Sequence, residues 1–323
     1  MRSFKHINAR TVDEACALLS EYKGKAVLHA GGTDLLSALK GEHLFDYPEA
    51  IINIKTIRGL DYIKEDSKAL KIGALAKLSE MAKSPILKER YKVLAEAAYA
   101  IATPQVRNVA TLGGNLCQDV RCWYYRYPRH IGGPVPCLRK GKGRCLAVTG
   151  DNRYHAIMEA KKCFAVCPSD IAVALAALNG QIRIAGPKGE RNIPVMDFFN
   201  SMGNSLERGE MVREVEVPRI NSPMKQAFLK FTLRRPVDFA IVSVASVMTV
   251  NEDVCMDARI ALGAVAPGPV RAKKAEQFLK GRFIDNDTAS EASEQAVSGA
   301  RPLSKNAYKI EITKALVKRA LTS

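Results

Sequence analysis

An α+β fold in two parts is what this sequence predicts, and three observations carry that expectation. Strand-like and helical patterns are mixed along the first part of the chain without a fixed alternation. Residues 227–270 then turn β-rich before two helical patterns close the chain. Between the parts, "EVPRINSPMKQ" (216–226) gathers prolines and polar residues as a boundary does, and 323 residues exceed the usual size of one domain.

The elements follow in order. Thr11 and Glu14, three residues apart, form a capping box before Ala15, Leu18 and Leu19, so a helix is expected there, ending at Gly24. "AVLHAGGTDLL" (26–36) reads as a short buried strand, a glycine turn and a new helix start. "AIINI" (50–54) and "ALKIGAL" (69–75) read as strands, the second opening onto a helix from about Ser79. Residues 86–102 have amphipathic helical period and stop before Thr103-Pro104. "NVATLGGNLCQD" (108–119) is a second glycine turn, and "SDIAVALAALNGQIRIAG" (169–186) a helix, a glycine stop and a strand. Helices are expected at 271–280 and 304–321, and no internal repeat is visible.

The net charge of +16 suits a solvated surface, an anionic cofactor or an acidic partner subunit. One Trp and no aromatic-interleaved basic tail make nucleic acid the weaker partner. The N-terminal "MRSFKHINARTVDEACALL" lacks the apolar core of a signal peptide, and no apolar run nears the ~20 residues of a membrane span. A cytoplasmic location is therefore expected, where thiols stay reduced. Cys16 and Cys255 stand alone in apolar segments and read as buried small hydrophobes. The other six, Cys117, Cys122, Cys137, Cys145, Cys163 and Cys167, fall close together, as metal ligands do.

Two loops carry the first chemistry. In "AGGTD" (30–34) adjacent glycines allow consecutive N–H groups to converge on an oxyanion, and Thr33 adds a hydroxyl. Asp34 would repel a phosphate, so a helix-capping role is expected of it. "TLGGN" (111–115) repeats the pattern, so the two loops could grip a pyrophosphate from both sides. Neither matches a Rossmann or Walker A loop, and a glycine pair alone is usually just a turn.

"AGGTDLL", "TPQVRNVATLGGNLC" and "VAPGPVRAKKAE" occur together and in this order. That combination resembles the FAD-binding medium subunit of the xanthine dehydrogenase / carbon monoxide dehydrogenase family of molybdenum hydroxylases. The resemblance spans essentially the whole chain. It implies a vanillyl-alcohol-oxidase (PCMH)-type FAD domain over 1–218 and a CO dehydrogenase flavoprotein-type C-terminal α+β domain over 224–323. It also implies that Ala30, Gly31, Gly32, Thr33 and Asp34, with Thr111, Gly113, Gly114 and Asn115, hold the FAD pyrophosphate. Arg107 and Asn108 would shape the approach to the second loop, and Lys230 and the Arg234-to-Asp238 turn would lie near the flavin.

Between "GGN-C" and the "SDIA" helix this chain carries about forty extra residues, roughly 118–165. That insertion, with its "DNRYHAI" (151–157), is similar to one branch, that of the 4-hydroxybenzoyl-CoA reductase β subunit and the aldehyde oxidoreductase FAD subunit. The branch implies a [4Fe–4S] cluster on four cysteines. Four thiolates in a long loop can supply such a cluster, and no CxxC pair favours a zinc ribbon. Between Arg121 and Lys162 ten Lys or Arg face only Asp151 and Glu159, a setting that lowers thiol pKa and offsets cluster charge. Trp123, Tyr124, Tyr125 and Tyr127 are candidates to exclude water. Cys122, Cys137 and Cys145 are three expected ligands. Cys163 is favoured as the fourth with Cys167 as its rival, Cys117 is expected to be a buried thiol beside the flavin loop, and His155 to be structural.

The function implied is electron transfer by an FAD- and [4Fe–4S]-bearing subunit of a molybdenum-dependent oxidoreductase. Partners would be a molybdopterin-binding large subunit and a [2Fe–2S] small subunit, in a dimer of heterotrimers, with a soluble electron carrier and no catalytic acid, base or nucleophile on this chain. The alternatives are a basic zinc protein that binds nucleic acid and a free-standing flavin oxidase.

Overall fold

A computed structural model describes residues 1–44, 46–234 and 237–323. Among the described residues three main sheets form in succession, each because its apolar side chains need a covering layer, besides the two-stranded pair Phe199–Asn200 and Gly203–Asn204. The first is parallel, with Ala50–Asn53 between Lys5–Asn8 and Ala26–His29, and every residue of its central strand is buried. Helix Val12–Glu21 covers it with Ala15 and Cys16. Thr11 Oγ1 accepts the Glu14 N–H at 3.1 Å, whereas the Glu14 carboxylate takes the N–H of Arg10, one residue earlier than a regular capping box requires.

The second sheet is antiparallel, in the order Ile63–Glu65, Ala69–Gly73, Met211–Pro218, Gln181–Gly186, Gly189–Pro194. Its core is shared with the helices that follow. The single helix expected over 86–102 is two, Pro85–Arg90 and Lys92–Tyr99. Between them Tyr91 leaves helical geometry (φ −123°, ψ 45°) because its ring is fully buried and its hydroxyl bonds Glu65 Oε1 at 2.6 Å. Helix Asp170–Ala177 is buried at every position, the mark of a central core helix.

The third sheet runs Lys225–Phe231, Val242–Asn251, Val254–Gly263, Val270–Arg271. Its long strand Val242–Asn251 is covered on both faces, Ala245 and Val247 meeting the core of the second sheet while Val242, Val244 and Met248 meet the C-terminal helices. Those helices are Lys273–Leu279, Asn286–Ala296 and Tyr308–Thr322. The middle one was not anticipated, because its core face is Ala289, Ala292, Ser293 and Ala296 and carries little periodic apolar signal.

The insertion has little regular structure beyond the turns Arg129–Ile131 and Leu138–Lys140. It is held against the third sheet by main-chain bonds, with Ile157 and Met158 N–H donating to Val265 O and Cys167 N–H to Ala266 O. Buried polar side chains complete the seam. Asn152 bonds Ala147 O, Ser304 Oγ and the Lys305 N–H, and Lys309, fully buried, donates to His155 O at 3.1 Å and Ala264 O at 2.5 Å.

Candidate functional site: two glycine loops and a thiol cavity

Strand Ala26–His29 of the parallel sheet delivers the chain directly into the loop at Ala30–Asp34. Among the described residues, the N–H groups of Gly31, Gly32 and Thr33 donate to no protein acceptor. Gly32 takes a positive φ of 71°. Gly31 lies so close to the second loop that a Cβ there would stand 2.2 Å from Val109 O. The two loops are thus in van der Waals contact, and the first keeps a run of free donors.

The second loop is strapped down by comparison. Its Leu112 and Gly113 N–H groups bond Ala76 O and Ala74 O, and Thr111 Oγ1 caps Gly114 N–H at 3.2 Å. Thr111 therefore serves the short helix Leu112–Leu116, and the loop's contribution to a ligand is close approach at Gly114, which is exposed. Asn115 is buried and its Oδ1 accepts from Ser169 Oγ at 2.7 Å.

Asp34 does not cap its helix, contrary to expectation. It makes no capping bond and instead meets Arg121 at 2.8 Å, Arg126 at 2.8 Å and the Asp119 N–H at 2.8 Å. Burial alone would raise its pKa, but the two guanidiniums and the N–H hold the carboxyl below the usual range. The two guanidiniums neutralise this carboxylate, with Asp119 as a second carboxylate acting on Arg121, which lessens the repulsion that a lone aspartate would exert on a phosphate. The signal available in the sequence was an Arg pair five residues apart on either side of Cys122, but the partner of Arg126 stood 92 residues away.

Lys230 is 8 % exposed and donates to Asp170 Oδ2 at 2.8 Å and Ala100 O at 3.0 Å. Asp170 follows Ser169, so a polar relay joins the second glycine loop to the third sheet. Arg107 is buried, bonding Ile101 O at 2.8 Å and Ala102 O at 2.7 Å, and with exposed Asn108 it lines a cleft of about 780 Å³ that neither glycine loop borders. Of the turn expected near the flavin, Arg234 pairs with Asp238 at 2.8 Å at the surface, and Arg235 and Pro236 lie outside the described residues.

Cys122, Cys137, Cys145 and Cys163 line one small cavity together with Tyr124, Tyr125, Leu138, Arg139 and Leu146. The cavity measures about 10 Å³, room for no more than one water. Among the described residues no three His, Cys, Asp or Glu side chains group as they would around a single ion. Burial pushes the Cys122 thiol up to about 11. Cys163 is held low by a hydrogen bond from Cys145, by the Ala165 N–H and by Arg139. Cys167 is elsewhere, buried against the third sheet, where desolvation pushes it up to about 12. Cys16 and Cys255 are buried as expected.

Cys117 has an exposed surface, because Leu112 and Leu116 take the core face of the helix it ends. Protein nevertheless crowds its thiol and desolvation pushes it up to about 12, so its expected burial holds for the thiol's surroundings and not for the residue's accessibility. Tyr127 is exposed too and lines no part of the cavity. His155 is buried, with Nε2 3.2 Å from Cys122 Sγ, and burial pulls its pKa down to about 4. Trp123 packs edge-on against it at 5.7 Å.

No helix among the described residues is long and apolar enough to cross a membrane. Residues 2–220 match the FAD binding domain in molybdopterin dehydrogenase, and residues 227–323 the CO dehydrogenase flavoprotein C-terminal domain. The aldehyde oxidoreductase FAD-binding subunit PaoB of Escherichia coli K12 is 32 % identical over 336 residues, covering 100 % of this chain and 97 % of that one. The carbon monoxide dehydrogenase medium chain of Hydrogenophaga pseudoflava is 30 % identical, covering 99 % and 96 %. In structure, a carbon monoxide dehydrogenase of the same organism, lacking the Mo-pyranopterin moiety of its cofactor, superposes with a TM-score of 0.79 at 28 % identity, over 99 % of this chain and 96 % of that one. Free N–H donors on a glycine loop whose aspartate is neutralised by two arginines, in this two-domain frame, fit those matches, and the chain belongs to the FAD-binding medium subunits of the xanthine dehydrogenase / carbon monoxide dehydrogenase family of molybdenum hydroxylases, a family of oxidoreductases.

Proposed function

We propose that this chain is the electron-transfer subunit of a molybdenum-dependent oxidoreductase and holds a [4Fe–4S] cluster beside its FAD. The single observation that carries the second cofactor is the convergence of Cys122, Cys137, Cys145 and Cys163, from four separated points of the insertion, on one cavity. A four-iron cube is wider than one ion, so it would part these thiols. The side chains around them are aromatic, aliphatic or cationic, and none is a carboxylate. This chemistry suits a thiolate-ligated cluster and supports a reading of the chain as a member of the branch with that insertion.

FAD, when bound, accepts or gives two electrons as a hydride or singly. Gly31, Gly32 and Thr33 would donate to its pyrophosphate, Gly113 and Gly114 would allow close approach, and Asp34 would hold the first loop in place through Arg121 and Arg126. Asn115, Ser169, Asp170 and Lys230 would fix the floor between the two domains. In the insertion, Tyr124, Tyr125 and Leu138 exclude water from the thiols.

The relatives bear names such as medium chain and FAD-binding subunit, which supports a complex in which a large subunit carries molybdopterin and a small one [2Fe–2S] clusters, in a dimer of heterotrimers. A soluble carrier would exchange electrons at the flavin.

Anaerobic purification followed by iron, labile sulfide and flavin quantitation tests the reading. Four iron and one FAD per chain are expected, and Cys122→Ser should lose the iron while keeping FAD. Zinc in place of iron, or an iron-free chain with Cys145 and Cys163 joined as a disulfide, would overturn it.

A further inference from the structure

Arg139 stands in an unusual position for an arginine. Its side chain is only 7 % exposed, and its Nε–H donates to Cys163 Sγ at 3.2 Å. The other two nitrogens are spent on main-chain carbonyls across the fold, Met202 O and Ser201 O, each at 3.0 Å. These belong to the tight connection between Phe199–Asn200 and Gly203–Asn204, so the guanidinium is held from behind and aimed at the sulfur.

The charge is poorly compensated. The nearest carboxylate, Asp119, reaches Arg139 only at 4.0 Å and is already bonded by the Tyr125 hydroxyl at 2.6 Å. Lys140, also buried, bonds the main-chain oxygens of Val135 and Tyr124 and adds a second cation near the Tyr125 ring, 5.7 Å from its centroid against 5.9 Å for Arg139. An arginine stays protonated at any working pH.

From this geometry we infer that Arg139 is a positioning residue that sets the electron affinity of the iron–sulfur group held by the four thiols. The inference rests on the cluster reading above. A charge-assisted N–H···S bond draws electron density from the thiolate, and a fixed buried cation stabilises the extra negative charge of the reduced state. Arg139 thereby raises the reduction potential and favours residence of the electron at this site over its neighbours. One electron moves in that step, from the reductant onto the iron–sulfur group, and no bond is made or broken.

The test is an anaerobic redox titration of the intact, FAD-loaded complex, with dithionite as reductant and the electron paramagnetic resonance signal of the reduced cluster as readout. Arg139→Met should keep four iron per chain and shift the electron distribution at least tenfold toward the oxidised state, about 59 mV downward for one electron. Arg139→Lys, which keeps the charge without the planar fork, should shift it less. An unchanged potential in iron-replete Arg139→Met overturns the inference while leaving the cluster reading intact. Loss of iron from both variants overturns it in favour of a purely structural role, and an iron-free wild-type chain removes the reading beneath it.

Discussion

Arg126 bonds both oxygens of Asp34, at 2.8 and 3.1 Å, and so ties the first glycine loop to the start of the cysteine insertion. Arg121 reaches the same carboxylate, which puts Cys122 between two residues anchored on that glycine loop. Asp34→Asn would leave two largely buried guanidiniums without their counter-ion. The expected loss is about 2 kcal/mol of stability, the scale of a charge-assisted bond to a buried partner. Flavin and iron contents should fall together. Urea denaturation with cofactor quantitation checks this, and wild-type values for all three would show that the loops are independent.

Contact between the two glycine loops gives a sharper expectation. In Gly31→Ala the new methyl meets the Val109 carbonyl at 2.2 Å, and main chain cannot yield as a flexible side chain does. Overpacking of this kind costs roughly 1–3 kcal/mol, so FAD affinity should fall about tenfold or more. Flavin fluorescence titration of the apo-chain measures it, and far-ultraviolet circular dichroism should stay unchanged.

How far the sequence could lead depends on how local each signal is. The glycine loops and the cysteine-rich segment were legible because each is a short run whose chemistry lies in adjacent residues. Asp34 was misread because its partners come from the insertion, and nothing in "AGGTD" announces an arginine 92 positions away. The helix Asn286–Ala296 escaped notice because alanine and serine line its core face. The rivalry of Cys163 and Cys167 was a matter of where four residues of chain turn. The Cys167 N–H bonds Ala266 O, which carries that thiol to the third sheet and leaves Cys163 at the cavity.

That separation makes the two cysteines distinguishable in one experiment. Cys163→Ser should lose the iron, whereas Cys167→Ser should retain both iron and flavin and cost only the packing of one buried sulfur. The reverse pattern, read by iron analysis, would show that the loop rearranges on assembly.

The pair Lys230–Asp170 sits between the domains with side chains 8 % and 5 % exposed. Lys230→Met leaves a buried carboxylate unpaired, a loss of about 3–5 kcal/mol where one partner of such a pair is removed. Adding Asp170→Leu should restore much of it, since the desolvation cost then disappears with the charge. Scanning calorimetry of the single and double variants separates the pair's coupling from simple misfolding.

Among the described residues Lys309 has only main-chain oxygens for partners, and desolvation pulls its pKa down to about 7 from the ordinary 10.5. Below pH 7 it is charged in both folded and unfolded chains, and burial of the charge weighs fully against folding. Between about pH 7 and 10.5 the unfolded chain binds the proton and the folded chain does not, so stability rises with pH. The slope for one such proton is about 1.4 kcal/mol per pH unit at most. In Lys309→Met this contribution vanishes, and the gap between wild type and variant should move in favour of wild type from pH 7 to pH 9. Denaturation midpoints of both proteins across that range decide it, because other titrating groups cancel in the difference. A gap that stays constant would mean that the ammonium keeps its proton against the carbonyls of His155 and Ala264.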